Sequence, residues 1–195
     1  DIYDCTKELP FVIIGSGHAA IEIAFALRKR WPNRLLILVC NFKKINYQFL
    51  RILKKYNIRL ETNLNFRYKK IILCTGSEPP FWVKNNKLKM NRGGRIITDS
   101  RLKVENESDV FAVGDCACIS RNERPASGIF AVKVVNVLAQ NIKKDFLGQN
   151  LKKWYPQKKG LQIINSFDVK IPKAFAVYGG LILGPSYLFC ILKKT

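Results

Sequence analysis

The chain has 195 residues, 48% of them hydrophobic and 25% charged. That balance excludes a disordered tail and allows one large or two small domains around a buried core. The formal net charge of +20, from 34 Lys and Arg against 14 Asp and Glu, invites a nucleic-acid or anionic-membrane partner. The basic residues are dispersed in short groups such as Arg28-Lys29-Arg30, with no RNA-reading aromatic signature and no long basic block. A lysine-rich solvated surface is therefore the expectation, and nucleic acid is not expected as a partner.

The six cysteines, Cys5, Cys40, Cys74, Cys116, Cys118 and Cys190, form no CxxC pair, so zinc-ribbon and thioredoxin-type spacings are absent. Cys40, Cys74 and Cys190 sit in apolar runs and read as small buried side chains. The first ten residues are polar and begin without Met, unlike a signal peptide. The apolar stretch 176–192 is broken by Gly179-Gly180 and Gly184-Pro185, which argues against a spanning helix. Both ends read as cut from a longer chain. The expected location is cytoplasmic, with peripheral contact with a membrane left open.

In chain order, Phe11–Ile14 reads as a buried strand. A helix with apolar residues in 3.6-period spacing follows from Ala19 to about Arg30, its basic end suiting a helix C-terminus and Pro32 breaking it. Residues 34–40 (RLLILVC) form a fully buried strand of the kind parallel sheets require. Residues 47–57 give an amphipathic helix, 58–63 a short strand, and 69–76 (KKIILCTG) another buried strand ending at Gly76. This alternation is the signature of a doubly wound α/β unit. Residues 77–94 read as a loop, 95–104 as β-type sequence, and 109–115 (DVFAVGD) as a short buried strand that delivers Asp115 at its carboxyl edge. A long helix starts near 126–128 and is stopped by Gly148. After a linker at 156–160, residues 161–167 and 173–183 read as the two strands of a hairpin.

The turn between the first strand and first helix is Gly15-Ser16-Gly17, with Ala20 three residues on. Gly15 permits the tight turn, Gly17 leaves room for a pyrophosphate, and Ala20 keeps the helix close to the sheet. The phosphates would meet the free N–H groups and positive end of the helix. The acidic residue that grips a ribose 2′-hydroxyl is absent after the second strand. Asn41 can bond a hydroxyl there, and Lys43 or Lys44 can meet a 2′-phosphate, a slight lean toward NADP over NAD; ordinary loop lysines are the favoured explanation of the pair. His18, the single histidine, has no catalytic partner readable beside it and fits as loop filler near a phosphate. Glu22 faces either the nicotinamide side of the site or the dipole of its own helix. Asp115 is either a ligand to hydroxyls or a turn-forming residue.

Four segments in this order, VIIGSGHAAIEIAFALRKR (12–30), IILCTGSEPP (71–80), DSRLKVENESDVFAVGDCA (99–117) and RPASGIFAVKVVNVLAQNI (124–142), resemble the FAD/NAD(P)-dependent pyridine nucleotide-disulfide oxidoreductases. Among these the chain is most similar to type II NADH dehydrogenases and to the oxidoreductase module fused to selenide, water dikinase. The resemblance runs from Phe11 to about Gly180. It implies a Rossmann-type FAD/NAD(P) fold with a shortened NAD(P)-binding domain at 1–95, a returning part of the FAD-binding domain at 96–150, and the start of a C-terminal α+β hairpin or interface segment at 151–195. It implies NAD(P)H contacts from Gly15, Ser16, Gly17, Ala20 and Glu22, and a return turn at Gly76. FAD contacts are implied for Gly114 and Asp115, and for Gly128 and Ile129, which open a helix aimed at the flavin. No catalytic side chain and no metal is implied.

Three departures stand beside that resemblance. The FAD fingerprint of such enzymes belongs to an N-terminal βαβ unit about 100 residues upstream, and only ten residues precede Phe11. The β-meander before the CTG strand has little room between Ile58 and Lys70. The glutamine-containing stretch after the flavin helix start reads AVKVV here. The expectation is a flavin-dependent NAD(P)H oxidoreductase, fragmentary or degenerate, reducing a small acceptor such as a quinone, with the FAD half supplied by a fused segment or partner subunit. The alternative is a non-catalytic nucleotide-binding accessory module, linked to selenide, water dikinase.

Overall fold

The computed structural model describes residues 9–64, 68, 70–84, 87–124, 126–166 and 172–193. Cys5, Lys69, Pro125 and Phe167, each part of a stretch read above, lie outside them. The chain divides into two compact units, one of residues 1–76 with 161–195 and one of residues 77–160. The sequence reading places its boundaries at 95 and 150 instead.

In the first unit, strands β1 (Phe11–Ile14), β2 (Leu36–Val39), β3 (Ile58–Glu61) and β4 (Ile71–Leu73) form a parallel sheet in the order β3-β2-β1-β4. This is the doubly wound α/β arrangement expected from the sequence, except that β4, read as a buried strand, is among the described residues an edge strand exposed at Ile71 and Leu73. β2 is buried along its whole length, as a strand covered on both faces must be. Helix α1 (His18–Arg30) buries Ala20, Ile21, Ala24, Phe25 and Leu27, one face at helical spacing. Helix α2 (Tyr47–Lys55) buries Phe49 and Leu53 and is capped by Asn46, whose side chain accepts from the Gln48 N–H at 2.8 Å.

Arg28 ties the far end of this sheet together. Its guanidinium donates to the carbonyls of Pro32 and Arg34, and to Tyr56 and Asn57 at 2.8 and 2.6 Å. These carbonyls lie beyond the C-termini of α1 and α2, where helix dipoles place partial negative charge.

Residues 161–193 add strands β7 (Gln162–Asn165), β8 (Ala174–Tyr178) and β9 (Leu181–Ser186) in an antiparallel sheet, then a short helix α5 (Tyr187–Leu192). The stretch 173–183 is thus two strands rather than one. The chain reverses at Gly179-Gly180, both at positive φ (59° and 96°), the geometry of a tight two-residue hairpin. Ile164, Phe175, Val177 and Ile182 point inward and join the core of α1 and α2. Phe175 meets Phe49 edge-on at 5.7 Å and Phe25 at 6.0 Å. Each such ring removed from water contributes about 2–3 kcal/mol.

In the second unit, residues 77–94 are not wholly loop, since Phe81–Lys84 close one helical turn, α3. Strands β5 (Ile96–Thr98) and β6 (Ala117–Ile119) pair in parallel. The segment 109–115 departs from the expected strand. Only Phe111 bridges, to Lys103, and the regular strand follows the Gly-Asp pair instead of preceding it. Gly114, at φ +76°, turns the chain through a short 3₁₀ turn (Gly114–Cys116), a step that an L-residue resists and glycine does not. Helix α4 (Gly128–Phe146) ends as expected at Gly148. Gly148 N–H bonds to Asp145 O at 3.0 Å and Gln149 N–H to Lys144 O at 2.8 Å, a complete Schellman cap.

Fully buried Asn141 on α4 is the polar tie of this unit. Its amide donates to Arg101 O and Lys152 O at 2.8 and 2.9 Å, and its oxygen accepts the Lys152 N–H at 2.8 Å. Replacing it with Leu removes the partner of three part-buried backbone groups. Asn141→Leu is therefore expected to lower stability by about 2–4 kcal/mol. Urea denaturation checks this, with Asn141→Asp as a second variant that keeps the acceptor and is expected to lose less at low pH, where its carboxyl is protonated and can also donate.

Candidate nucleotide site

The glycine turn is held between two neighbouring strands. Gly15 N–H donates to Val39 O at 3.0 Å, Cys74 N–H to Ile14 O at 2.7 Å, and Asn41 N–H to Ser16 Oγ at 2.8 Å. The carboxyl ends of β1, β2 and β4 are thereby fixed side by side, the edge at which doubly wound sheets take ligands.

Gly15 has no alternative residue. A Cβ placed on it lies 2.3 Å from Cys74 O and 2.9 Å from Cys74 C, and both are backbone atoms that cannot swing away. Gly17 is the opposite case. Nothing lies within 4 Å of where its Cβ would be, so the space in front of the helix is open. It caps α1 without any side-chain bond to the first turn, which leaves the turn's N–H groups to an outside acceptor. Ala20 is completely buried against the sheet. Gly76, at φ +113°, is exposed two residues beyond Cys74 and also borders open space.

Where an acidic residue usually follows the second strand, Asn41 uses its Oδ1 to accept the Lys43 N–H at 3.0 Å. Lys43 and Lys44 are exposed on the 3₁₀ turn that this bond stabilises. Glu22 turns toward the antiparallel sheet of the same unit. Its Oε1 accepts from Asn165 N–H at 3.2 Å and from Lys193 Nζ at 2.5 Å. Lys193 was not among the residues singled out by sequence, because 171 residues separate it from Glu22.

His18, at the first position of α1, packs 6.0 Å from the Phe49 ring. Burial pushes its pKa below the usual 6.5, and a hydrogen bond with the Gln162 side chain opposes that shift. The imidazole is held neutral beside the place where an anion would bind. Burial likewise raises the thiols of Cys40, Cys74 and Cys118, so none of them is poised as a thiolate. The five described cysteines are unpaired.

The second unit gathers the other group of sequence-predicted residues. Gly114 and Asp115 lie against the first turn of α4, with Ala131 Cβ 3.8 Å from the Cβ position of Gly114. They line a pocket of about 60 Å³ together with Ser127, Ala131, Arg95 and Arg124. Asp115 and Gly128 are exposed, and the α4 N-cap Ser127 makes no side-chain cap bond. Ile129 is half-buried and packs against Gly160, with its Cδ1 3.4 Å from the Cβ position there. Arg95 and Arg124 escaped the sequence reading, although Arg124 stands only four residues before the helix. Its Nε is buried without an acceptor among the described residues.

With that geometry in view, residues 41–134 match the family model described as pyridine nucleotide-disulphide oxidoreductase. The chain is thus similar to this family. It is 34% identical over 192 residues to ferroptosis suppressor protein 1 of Xenopus laevis, covering 80% of this chain and 50% of that protein. It is 32% identical over 105 residues to a probable NADH dehydrogenase of Dictyostelium discoideum, covering 54% of this chain and 22% of that one. Its fold is that of an FAD-dependent pyridine nucleotide-disulphide oxidoreductase from Desulfovibrio vulgaris, with a TM-score of 0.57 at 19% identity over 86% of this chain and 49% of the other. The chain spans about half, or less, of the length of these relatives.

Two outcomes follow from the turn. Gly15→Ala must push apart β1 and β4, and about 1–3 kcal/mol or more of stability is expected to go with it; Gly17→Ala, in open space at φ −88°, should be near neutral. Chemical denaturation of the two variants compares them directly. The lowered pKa of His18 also sets a sign. The unfolded chain takes up this proton first, so stability is level above the unfolded pKa near 6.5 and falls as pH drops from there toward the folded value. His18→Gln is expected to flatten that part of the stability–pH curve.

Proposed function

We propose that this chain is the nicotinamide-binding part, with a portion of the flavin-binding part, of a flavin-dependent NAD(P)H oxidoreductase. The observation that carries the reading is the glycine turn: Gly15 admitted only as glycine, Gly17 facing open space, and an uncapped helix start beyond it. These residues fit a dinucleotide pyrophosphate, because the backbone N–H groups of α1 face the anion and no side chain blocks its approach. The second unit fits a flavin less completely. A pocket of about 60 Å³ holds a few water molecules and not a fused ring system. What it offers is a rim, with the exposed Asp115 carboxylate for ligand hydroxyls and the start of α4 for negative charge.

When bound, nicotinamide and flavin supply the hydride-transfer chemistry themselves. The residues of this chain bind and orient. Gly15, Ser16 and Gly17 shape the phosphate cradle, and neutral His18 adds no competing negative charge beside it. Ala20 holds α1 close to the sheet. Lys43 and Lys44 lie where a 2′-phosphate would be met, which favours NADPH. Glu22, engaged by Asn165 and Lys193, fixes the helix against the antiparallel sheet.

A lipophilic acceptor such as a quinone, with peripheral contact with a membrane, is supported by one surface feature. Tyr178 and Leu181 are cross-strand neighbours on β8 and β9 by register, Leu161 immediately precedes β7, and all three are exposed. Among the described residues no helix is long and apolar enough to cross a membrane. The link to selenide, water dikinase rests on the sequence resemblance alone.

Titration of the purified chain with NADPH and NADH, followed by nicotinamide fluorescence, is the direct test. Binding is expected, with NADPH preferred. Double substitution of Lys43 and Lys44 by Ala should remove the preference, lowering NADPH affinity about tenfold with little effect on NADH. No binding of either nucleotide by the folded chain would overturn the proposal, and equal retention of NADPH by the double variant would remove the role given to the lysines.

A further inference from the structure

Among the described residues, the sheet of the first unit ends at β3, which pairs only with β2. In the ladder, Cys40 N–H donates to Glu61 O at 2.8 Å, so the backbone groups of Glu61 face β2. Alternation along the strand then turns the N–H and C=O of Leu60 and Ile58 the other way, toward the open edge. That edge is one wall of a groove of about 600 Å³. Helix α2 supplies the opposite wall through Tyr47, Leu50, Arg51 and Lys54.

The groove has the parts needed to add an extended strand. Two residues of β3 present outward donors and acceptors in register, and strand addition draws its affinity from such main-chain bonds. Leu50 and the exposed ring of Tyr47 give an apolar floor on the helix side. The rim is cationic. Between Phe42 and Leu60 the sequence holds Lys43, Lys44, Arg51, Lys54, Lys55 and Arg59 and no Asp or Glu. Arg51 sits over the Tyr47 ring at 6.0 Å, which presents its guanidinium at the mouth of the groove. Arg59 is partnered by Glu61 at 3.0 Å, so Arg51 and Lys54 on α2 are the cations assigned to the ligand.

We infer that the β3–α2 groove binds an extended acidic peptide segment by adding it as a strand to the β3 edge. Charge decides among occupants. A second copy of this chain, at net +20, would bring cations against cations, whereas alternating acidic side chains meet Arg51 and Lys54 while their backbone pairs with Ile58 and Leu60. Nothing in this inference depends on the nucleotide proposal.

The test uses a short fluorescent peptide of alternating Glu and Val, with a Lys–Val peptide of the same length as comparison, and anisotropy as the readout. The Glu–Val peptide is expected to bind, with salt-dependent affinity, and to shift the Ile58 and Leu60 amide resonances. Joint Arg51→Glu and Lys54→Glu substitution should weaken it about tenfold or more. Leu60→Pro removes an outward donor at an edge position, where proline is tolerated, and should abolish binding; if that variant fails to fold, the charge-reversal pair still decides. Equal binding of the Lys–Val peptide, or Glu–Val binding untouched by the charge reversal, overturns the inference. So does concentration-dependent self-association that the Glu–Val peptide cannot displace.

Discussion

The close approach of Gly15 to the backbone of Cys74 is the contact on which the first unit depends. A carbonyl stands where any other residue would carry its Cβ, so β1 and β4 can come together only over a glycine. The consequence is local and functional at once. The turn that follows stays tight, and α1 starts directly against the sheet with Ala20 buried beneath it. The first N–H groups of that helix are left facing outward. A phosphate cradle is therefore a by-product of strand packing, and Gly17 adds only the open space in front.

The opposite edge of the same sheet is organised by charge instead of sterics. Arg28 draws together carbonyls that follow α1 and α2, as well as those leading into β2. Five-donor geometry suits this work, because one guanidinium can meet several carbonyls in different directions. With one edge fixed by glycine and the other by arginine, the strands keep their register while the loops at the carboxyl edge remain free to meet a ligand. The cost of charge burial is visible in the lowered pKa of Arg28, caused by desolvation; it remains fully protonated in ordinary buffers.

The second unit has a different logic. Its two parallel strands are three residues each, too little sheet to form a core alone. Asn141 compensates by anchoring two loop segments to α4 through three part-buried hydrogen bonds. On the outer side of α4, Val132, Val135, Ile142 and Phe146 remain exposed, a continuation of the apolar arc beyond the part that its own unit covers. The pocket formed by Gly114, Asp115 and the start of α4 is accordingly a rim rather than an enclosure.

The succession of strands and helices in the first unit was legible from periodicity, since the apolar runs and the two amphipathic helices carried clear patterns and stop signals, although β4, read as buried, is exposed at Ile71 and Leu73. Gly148 was legible for the same reason, as its positive φ satisfies a cap that only glycine meets at no steric cost. The glycine turn could be read as a motif, and so could the absence of an acid after β2. Three things depended on distance in space. The segment 109–115 makes only an isolated bridge at Phe111, and the regular strand falls after the Gly-Asp pair, because a hydrophobic run alone does not specify a ladder. The pairing of Glu22 with Lys193 joins residues at opposite ends of the chain, and no local pattern encodes it. The open β3 edge, with Arg51 and Lys54 beside outward-facing amides, exists only once the sheet order leaves β3 without a second neighbour. Sequence by itself determined the succession of strands and helices in the first unit and where glycine is obligatory, because those are local properties of side chain and backbone. Tertiary structure decided which edges stay open and which charges meet, because these depend on where the folded chain places residues that sequence separates.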